Sequence, residues 1–305
     1  MGSVDLSIQL GPLKLKNPVM VASGTASYGE ELSRVYPLAR LGGFVTKSIT
    51  LKPREGNPPH RVIETASGML NSIGLQNAGV EAFCKTKLPF LRKAKATVIV
   101  NIAAKRIEDY AALAKRLSEE EGIAALELNV SCPNVKEGGL EFGTNPKNIT
   151  EIVRGVRRAT HLPILTKLSP NVTDIVLMAR AAMDGGSDAV SLVNTLLGMA
   201  VDVRRKKPVL STVTGGLSGP AIKPVALRMD WQVYQALKCP IVGIGGIASA
   251  EDALTFMMAG AGAIQIGSAS YTNPRAAMEI LEDLEAYAKK EKLRCLEEVV
   301  GCLDV

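Results

Sequence analysis

The chain has 305 residues, with 36 Lys and Arg against 30 Asp and Glu, which gives a net charge of +6. Hydrophobic residues make up 47% but aromatic residues only 4%, so the core must consist mainly of Ala, Val, Ile and Leu. This composition excludes a disordered chain, and the positive charge is too dilute to indicate a nucleic-acid partner. A length of about 300 residues allows one or two domains.

The sequence has no feature of an exported or membrane-bound protein. Charged residues interrupt the N-terminal region at Asp5, Lys14 and Lys16, unlike the apolar run of a signal peptide. The uncharged stretch 253–274 is long enough to cross a bilayer, but its glycines and polar residues predict a helix, a turn and a strand. Five cysteines without a C-x-x-C pair indicate reduced thiols and no structural zinc or iron–sulfur cluster of this chain's own. We therefore expect a cytoplasmic protein.

Short β-branched runs alternate with segments of helical periodicity, as in a parallel sheet built from βα units. The eight predicted strands cover residues 19–22, 43–48, 97–103, 125–131, 163–169, 189–195, 240–246 and 263–269. A helical pattern follows each strand, for example at 107–120, 145–160 and 172–184. Eight units predict a TIM (β/α)8 barrel rather than an open sheet, and we interpret residues 1–305 as one barrel domain.

Five of the predicted helices begin with a recognisable cap or a first-turn proline. The residues concerned are Thr144 with Pro146, Thr173 with Asp174, Pro224, Ser249 with Glu251 and Asp252, and Thr272 with Pro274.

Three connections are too long for simple turns: 49–80, 132–145 and 196–223. All three follow the C-terminal ends of predicted strands, the face on which barrel enzymes assemble their active sites. Long loops in a compact domain are usually lids or binding elements, so we expect them to cover the site. The basic run 204–207 in the third loop predicts a solvated hairpin rather than an anion site.

Polar side chains recur at the C-terminal ends of six of the eight predicted strands. A lone asparagine there is more often structural, but the recurrence predicts a shared site. The set comprises Ser23, Lys47, Ser48, Asn101, Asn129, Ser131, Cys132, Lys167, Ser169, Asn194 and Thr195.

Glycines follow the last two strands, at 243–246 and 266–268, and a third glycine-rich segment lies at 215–219. The common phosphate site of TIM barrels lies after strands seven and eight, where glycines let backbone N–H groups approach an anion. Together these segments predict a bound phosphate, carried either by a substrate or by a cofactor.

Lys47 and Lys167 have two possible roles at a barrel mouth. Either lysine could form a Schiff base, or it could serve as a cation beside a carboxylate or an electron-rich ring. The neighbouring asparagines favour the second role, because neutral amides suit the edge of a planar heterocycle such as a flavin or a pyrimidine.

The candidates for a general base are few. His161 precedes the fifth strand on the opposite face and His60 lies in a loop, so we interpret both as structural. Cys132 lies in the segment NVSCPN at 129–134, beside a strand-end asparagine, and a thiol there can act as a base. We interpret the other cysteines as inert; they are Cys84, Cys239, Cys295 and Cys302.

Several longer motifs together resemble the class 1 dihydroorotate dehydrogenases, and within them the type B catalytic subunit. They are ASGT at 22–25, TKS at 46–48, GNPP at 56–59, GMLNSIGLQN at 68–77, NVSCPN at 129–134, GGLSGP at 215–220 and GIGGI at 243–247. The likeness runs from about residue 6 to the last helix. His60 stands where this family often has Pro, a departure that affects no named role.

The resemblance implies FMN as cofactor and dihydroorotate as substrate. The FMN phosphate would lie against Gly219, Gly245, Gly246, Gly267 and Ser268, and its ring and ribityl chain near Ser23, Lys47, Ser48, Asn101, Asn129, Lys167 and Val193. Dihydroorotate would be held by Lys47, Asn71, Ser72, Ile73, Gly74, Leu75, Asn129, Asn194 and Thr195. Cys132 would remove a proton while a hydride passes to FMN, giving orotate for pyrimidine biosynthesis.

The subclass rests on two features. Membrane-associated class 2 enzymes carry an N-terminal extension and use Ser as the base, whereas this chain starts at the barrel and has Cys132. The sequence of residues 69–77 resembles that of type B enzymes. These enzymes pass electrons to NAD through a partner subunit that carries FAD and a [2Fe–2S] cluster. The resemblance thus implies a homodimer of this chain with two such subunits, a heterotetramer.

Three alternatives remain open on the sequence alone. One is a type A enzyme, which reduces fumarate in the same pocket. The second is a Schiff-base lyase that uses Lys47 or Lys167. The third is a non-catalytic phosphate-binding barrel.

Overall fold

The computed structural model describes residues 4–130 and 143–304, and it opens with a short antiparallel hairpin. This hairpin consists of β1 (Ile8–Leu10) and β2 (Leu13–Leu15). It precedes the first barrel strand. Three of the hairpin's buried leucines and Ile8 pack into the end of the barrel, because alternate residues of such short strands face one side.

Eight parallel strands then close into a barrel in which each strand pairs with the next along the chain. They are β3 (Val19–Val21), β4 (Gly43–Val45), β7 (Val98–Ile102), β8 (Ile123–Asn129), β9 (Ile164–Lys167), β10 (Ala189–Leu192), β15 (Ile241–Ile244) and β16 (Ala263–Ile266). The last strand pairs with the first, with Ile264 opposite Val19. The predicted TIM (β/α)8 barrel is therefore confirmed.

The observed strands are shorter than the predicted ones at their C-terminal ends. For example, β4 ends at Val45 and β10 at Leu192. Lys47 and Asn194 therefore follow the strands rather than lie in them. This places their side chains at the mouth of the barrel.

Helices connect the strands around the outside of the barrel. They are α1 (Val80–Ala82), α2 (Leu88–Lys93), α3 (Ile107–Ser118), α4 (Pro146–Ala159), α5 (Ile175–Asp184), α6 (Lys223–Leu237), α7 (Ala250–Ala259), α8 (Ala269–Thr272) and α9 (Ala276–Lys290). A π turn at Phe83–Lys87 joins α1 to α2.

The first βα unit differs from the prediction, because β3 is followed only by the 3-10 turns Leu32–Arg34 and Leu38–Arg40. The connection between β3 and β4 contains three glycines and a proline. These residues disfavour a regular helix, and the two turns supply the outer layer instead.

The helix caps match the prediction in part. Asp174 caps α5, and Ser249 forms a capping box with Asp252 at α7. The predicted Thr144 does not cap α4, however, because the side chain of Asn145 accepts the N–H of Lys147. Thr272 likewise lies within α8, and Arg275 precedes α9.

The two described long loops build a second sheet over the mouth of the barrel. The first contributes β5 (Val62–Thr65) and β6 (Gly68–Asn71), and the second contributes β11 (Leu196–Met199) and β14 (Thr214–Ser218). All four pair antiparallel in the order β11-β14-β6-β5. The predicted hairpin around 204–207 is confirmed, with β12 (Val201–Asp202) and β13 (Lys207–Pro208) as its strands.

The barrel interior is layered by the two-residue period of its strands. A lower apolar layer, next to the hairpin, includes Ile99, Ala125, Leu165, Ala189 and Ala263. Two residues further along the same strands, the inward positions are polar: Asn101, Glu127, Lys167, Ser191 and Gln265. The core of small branched side chains thus ends in a polar layer beneath the mouth.

Among the described residues, no helix is both long enough and apolar enough to cross a membrane. The uncharged stretch 253–274 forms the end of α7, a turn, β16 and α8, as its glycines predicted.

Candidate active site

A cleft of about 1150 Å³, including its opening to solvent, lies at the C-terminal end of the barrel. Its depth comes from the barrel mouth and its upper wall from the second sheet. The predicted site residues that line it are Ser23, Lys47, Ser48, Asn71, Ile73, Gly74, Leu75, Asn129, Lys167, Val193, Asn194, Thr195, Gly219, Gly245, Gly246, Gly267 and Ser268. The polar strand ends and the glycine segments therefore surround one cavity, although the chain spaces them over some 245 residues.

Two predicted residues lie behind the wall of the cleft. Asn101 is fully buried and contacts Ser48 rather than the cavity. Ser72 is also fully buried, where it accepts a hydrogen bond from the Asn57 amide and contacts the Thr212 hydroxyl. Cys132 and Ser131 lie outside the described residues.

A chain of side-chain hydrogen bonds runs from the cleft into the barrel. The Asn194 amide donates to Asn129 Oδ1 over 3.2 Å, and the Asn129 amide donates to Ser48 Oγ over 3.3 Å. Ser48 donates in turn to Asn101 Oδ1, and the Asn101 amide donates to Glu127 Oε1 over 2.6 Å. Every donor in this series of hydrogen bonds points toward Glu127.

Glu127 is fully buried at the level of the polar layer. Its Oε2 accepts hydrogen bonds from Ser191 Oγ (3.0 Å) and Gln265 Nε2 (2.6 Å). The Lys167 Nζ lies 4.0 Å from Oε1, and only 7% of the Lys167 side chain is exposed, at the floor of the cleft. Three hydrogen-bond donors and a lysine therefore converge on one buried carboxyl group.

Lys47 provides the second cation of the cleft. Burial lowers its pKa, and the positive charge of Arg61 lowers that pKa further. The Lys47 backbone N–H donates to the Ser27 carbonyl over 2.9 Å, which fixes the start of the loop after β4. A partly desolvated ammonium at this position is a strong partner for a ligand carboxylate.

The three glycine segments converge at one end of the cleft. A Cβ on Gly246, whose φ is +73°, would meet the Gly219 carbonyl oxygen at 2.7 Å. A Cβ on Gly219 would lie 3.5 Å from Ser268 Oγ. Close backbone approach of three segments forms a cradle suited to an oxyanion such as a phosphate.

The loop between β6 and α1 forms the opposite wall and is held by asparagine side chains. Asn57 donates to the Ser72 carbonyl, and Asn77 donates to the Leu75 carbonyl over 2.8 Å. Gly74 has a φ of +74°, and a Cβ there would lie 2.7 Å from Asn57. These contacts give the predicted substrate loop a defined shape.

Sequence reasoning missed several residues of the cleft. Val62, Met69 and Tyr271 line it but belong to β5, β6 and α8, whose positions depend on nonlocal packing. The signal for Glu127 was present, since it shares the inward parity of Asn129, but no role was assigned to it.

Neither histidine reaches the cleft, and both are exposed. Cys84 and Cys239 are buried, and burial raises the pKa of each thiol to about 11. Cys295 is partly buried and Cys302 is exposed, and neither lines the cleft.

Comparison with known proteins decides the family. The family model described as dihydroorotate dehydrogenase matches residues 5–287. The chain belongs to the dihydroorotate dehydrogenase family. Relatives named "Dihydroorotate dehydrogenase B (NAD(+)), catalytic subunit" include one from Trichlorobacter lovleyi, 54% identical with 98% of both chains covered. Another, from Geotalea daltonii, is 52% identical with 100% of both chains covered. A third, from Pelobacter propionicus, is 53% identical over 98% of this chain and 99% of its own.

Membership in the dihydroorotate dehydrogenase family makes the chain an oxidoreductase and implies a flavin cofactor. The words "catalytic subunit" in the relatives' names imply that another subunit accompanies such chains. The oxidoreductase assignment favours the cation roles of Lys47 and Lys167 over the Schiff-base alternative.

Proposed function

We propose that this chain is the dihydroorotate-oxidising catalytic subunit of an NAD-linked dihydroorotate dehydrogenase that serves pyrimidine biosynthesis. The observation that carries the proposal is the cleft at the barrel mouth. It brings together two lysines, the hydrogen-bonded side chains of Asn129 and Asn194, and the glycine cradle. Full-length identity of about half to relatives of that printed name supports the reaction.

The cofactor in this proposal is FMN, one per chain of a single barrel domain. The cradle of Gly219, Gly246 and Ser268 fits its phosphate, because Gly219 and Gly246 approach neighbouring backbone too closely for any side chain, so that backbone borders this end of the cleft. Lys167 and Val193 would border the ring at the floor of the cleft. When bound, FMN supplies the hydride acceptor of the oxidation.

The substrate would occupy the space between the floor and the loop at 71–75. Lys47 pairs with the substrate carboxylate, and its low exposure strengthens that ion pair. The amides of Asn71, Asn129 and Asn194 bind the polar edge of the substrate ring. This fixes which carbon of the ring faces the cofactor.

Cys132 is the proposed base, three residues along the chain from Asn129. It takes the proton from the carbon next to the ring carbonyl, while the adjacent carbon gives up a hydride. Loss of one proton and one hydride converts dihydroorotate to orotate, so atoms and electrons balance. A thiol is suited to this role when water is excluded from the site.

The electrons leave through a partner in this proposal. A second subunit that carries FAD and a [2Fe–2S] cluster would relay them to NAD, in a cytoplasmic heterotetramer of two catalytic and two relay chains. Support comes from the name shared by the relatives, which specifies both NAD(+) and a catalytic subunit.

The proposed reaction is tested on the purified protein. We expect release of about one FMN per chain on denaturation, and orotate formation from dihydroorotate with an artificial electron acceptor. A protein that binds another flavin, or that forms no orotate when loaded with FMN, would contradict the proposal.

The natural acceptor is tested separately by comparing fumarate with NAD. We expect no reduction of fumarate by the catalytic chain, and NAD reduction only when the chain is purified together with its partner subunit. Rapid fumarate reduction by the chain alone would indicate a type A enzyme instead.

A further inference from the structure

Tyr271 is a cleft-lining aromatic residue outside the proposed FMN and substrate sets. It lies in α8, and 58% of its surface is exposed. Its phenol hydroxyl donates to the Gly24 carbonyl over 3.4 Å. Because α8 follows β16 and Gly24 follows β3, the Tyr271 side chain bridges the ends of two neighbouring strands.

Backbone hydrogen bonds fix both ends of this bridge. On the α8 side, the Tyr271 N–H donates to the Ser268 carbonyl over 3.0 Å, next to the glycine cradle. On the β3 side, the Ala22 N–H donates to the Ile266 carbonyl over 2.9 Å, and the Thr25 N–H donates to the Ala22 carbonyl over 3.3 Å. The barrel therefore holds the two strand ends at a separation that the tyrosine side chain spans.

The ring of Tyr271 forms this side of the cleft. Ser23 and Gly24 line the cleft at one end of the bridge, and Gly267 and Ser268 line it at the other. A Cβ on Gly24 would meet no atom within 4 Å, so the space beside Gly24 is open. Because more than half of the Tyr271 surface is exposed, removal of the ring would open the cleft to solvent rather than leave a buried cavity.

A tyrosine in this position suits a ligand with a planar ring. Its own ring supplies a large and rigid apolar contact, and its hydroxyl keeps a polar partner at the far end. Burial raises the pKa of the Tyr271 phenol, so the hydroxyl keeps its proton at neutral pH and can donate to Gly24.

We propose that Tyr271 retains the cofactor by closing the cleft between the ends of β16 and β3, so that bound FMN cannot leave on that side. This inference deepens the proposed function and rests on it, because the retained ligand is FMN. Tyr271 acts on entry and release of the cofactor and has no part in the proton or hydride transfer.

The first test is Tyr271→Ala, which removes the ring. A new opening serves both directions, so FMN should leave the loaded protein and enter the stripped protein faster. We expect dissociation to accelerate by about tenfold or more and association by about threefold or more. Timed ultrafiltration after dilution measures dissociation, and stopped-flow fluorescence of added FMN measures association. An unchanged association rate would overturn the proposal, because loss of contact area alone accelerates only dissociation.

Tyr271→Phe separates the ring from the hydroxyl. This variant keeps the ring and loses the hydrogen bond to Gly24, which is long at 3.4 Å. We expect both rates to stay within about threefold of the wild type. Rates as high as those of Tyr271→Ala would show that the ring does not close the cleft by itself and would overturn the proposal.

The matched control is Thr272→Ala. Thr272 is the next residue of α8; it is exposed and lies outside the set of residues that line the described cleft. Its hydroxyl donates to the Ala269 carbonyl over 3.0 Å, so the substitution disturbs α8 without removing a wall of the cleft. We expect both rates to stay within about twofold of the wild type. Rates as high as those of Tyr271→Ala would mean that a general disturbance of α8 releases FMN.

Orotate affinity distinguishes loss of closure from general damage to the site. The loop at 71–75 lies on the opposite wall of the cleft, so its contacts should survive in Tyr271→Ala. With FMN held at saturation, we expect orotate affinity within about threefold of the wild type by calorimetry and an unchanged urea midpoint of unfolding. An orotate affinity that falls as far as FMN release accelerates would overturn the proposal.

The outcomes separate the two proposals. A wild-type protein that binds no FMN contradicts the proposed function. A wild type that binds FMN, together with wild-type rates of FMN entry and release in Tyr271→Ala, overturns only the role of Tyr271.

Discussion

Lys47 is partly buried and has a positively charged neighbour, Arg61, and both lower its pKa. Between this lowered pKa and the ordinary value, the unfolded chain binds a proton that the folded chain lacks. The free energy of unfolding therefore rises with pH across that window. Below that window Lys47 is charged in the folded protein. This charge lowers the free energy of unfolding but can form an ion pair with a ligand carboxylate.

The same shift predicts a pH dependence of binding. Orotate affinity should be constant at pH values well below the pKa of Lys47. It should fall as pH rises through that pKa, because the neutral amine cannot form an ion pair with a carboxylate. Arg61→Gln removes the neighbouring charge and should move this fall to higher pH, whereas Lys47→Met should abolish it and lower affinity about 10-fold to 100-fold. Calorimetric titrations across the pH range check this, and an unshifted profile in Arg61→Gln would contradict it.

At the residue scale, strand parity predicted the inward direction of the polar side chains but not their depth. Asn101 and Asn129 were both predicted at the cleft, yet Asn101 pairs in register with Glu127, one layer below Asn129. Barrel strands are staggered, so equal positions near two strand ends do not lie at equal depth. The stagger is a property of the closed barrel and cannot be read from one strand.

At the element scale, the glycine segments after the last strands matter more than any single side chain. Gly246 has a φ of +73°, and a Cβ there would lie 2.7 Å from the Gly219 carbonyl oxygen, whereas a Cβ on Gly267 would meet nothing closer than Ala22 at 3.8 Å. A side chain at Gly246 would therefore strain the backbone, whereas a side chain at Gly267 would occupy open space in the cleft.

Alanine substitutions at these glycines should have different effects. Gly246→Ala should lower the free energy of unfolding by about 1–3 kcal/mol through strain and contact. Gly267→Ala should change that free energy by less than about 0.5 kcal/mol but weaken FMN binding, because its methyl group enters the cleft. Urea unfolding and FMN titration measure the two quantities, and equal stability losses would contradict the distinction.

The second sheet shows the limit of local prediction for elements. The long loops were correctly expected at the mouth, but β6 pairs with β14 from a segment some 145 residues away. Short strands such as these carry too little periodicity to reveal a nonlocal partner. Local pattern therefore did not predict Val62 and Met69 at the cleft. It also did not predict the 3-10 turns that replace the first helix.

At the scale of the whole molecule, the barrel separates stability from chemistry. The hairpin of β1 and β2 fills the end opposite the cleft, with Leu10 only 1% exposed. Apolar packing at this end stabilises the barrel, because the interior of a TIM barrel is a packed core rather than a pore.

Leu10→Ala should therefore destabilise the protein without altering its chemistry. We expect a loss of about 2–5 kcal/mol in the free energy of unfolding, with unchanged FMN and orotate affinity. Val203→Ala is the control, since Val203 is 83% exposed and its loss should cost less than about 0.5 kcal/mol. A weakened ligand affinity in Leu10→Ala would show that the two ends are coupled.

The whole architecture was predictable because eight βα units leave few alternatives, and the family followed from long motifs. The bottom hairpin was not predicted, because its two strands have three residues each. Cys132, the proposed base, lies outside the described residues, so its role rests on sequence and on chemistry.

The rate of anaerobic flavin bleaching by dihydroorotate tests the central claim most directly, measured for the wild type and Cys132→Ala by stopped-flow absorbance. We predict equal FMN content in both proteins, fast bleaching of the wild type, and bleaching slower by about 10²-fold to 10⁴-fold in the variant. An FMN-loaded wild type that dihydroorotate does not bleach, or a variant that bleaches at the wild-type rate, would contradict the account.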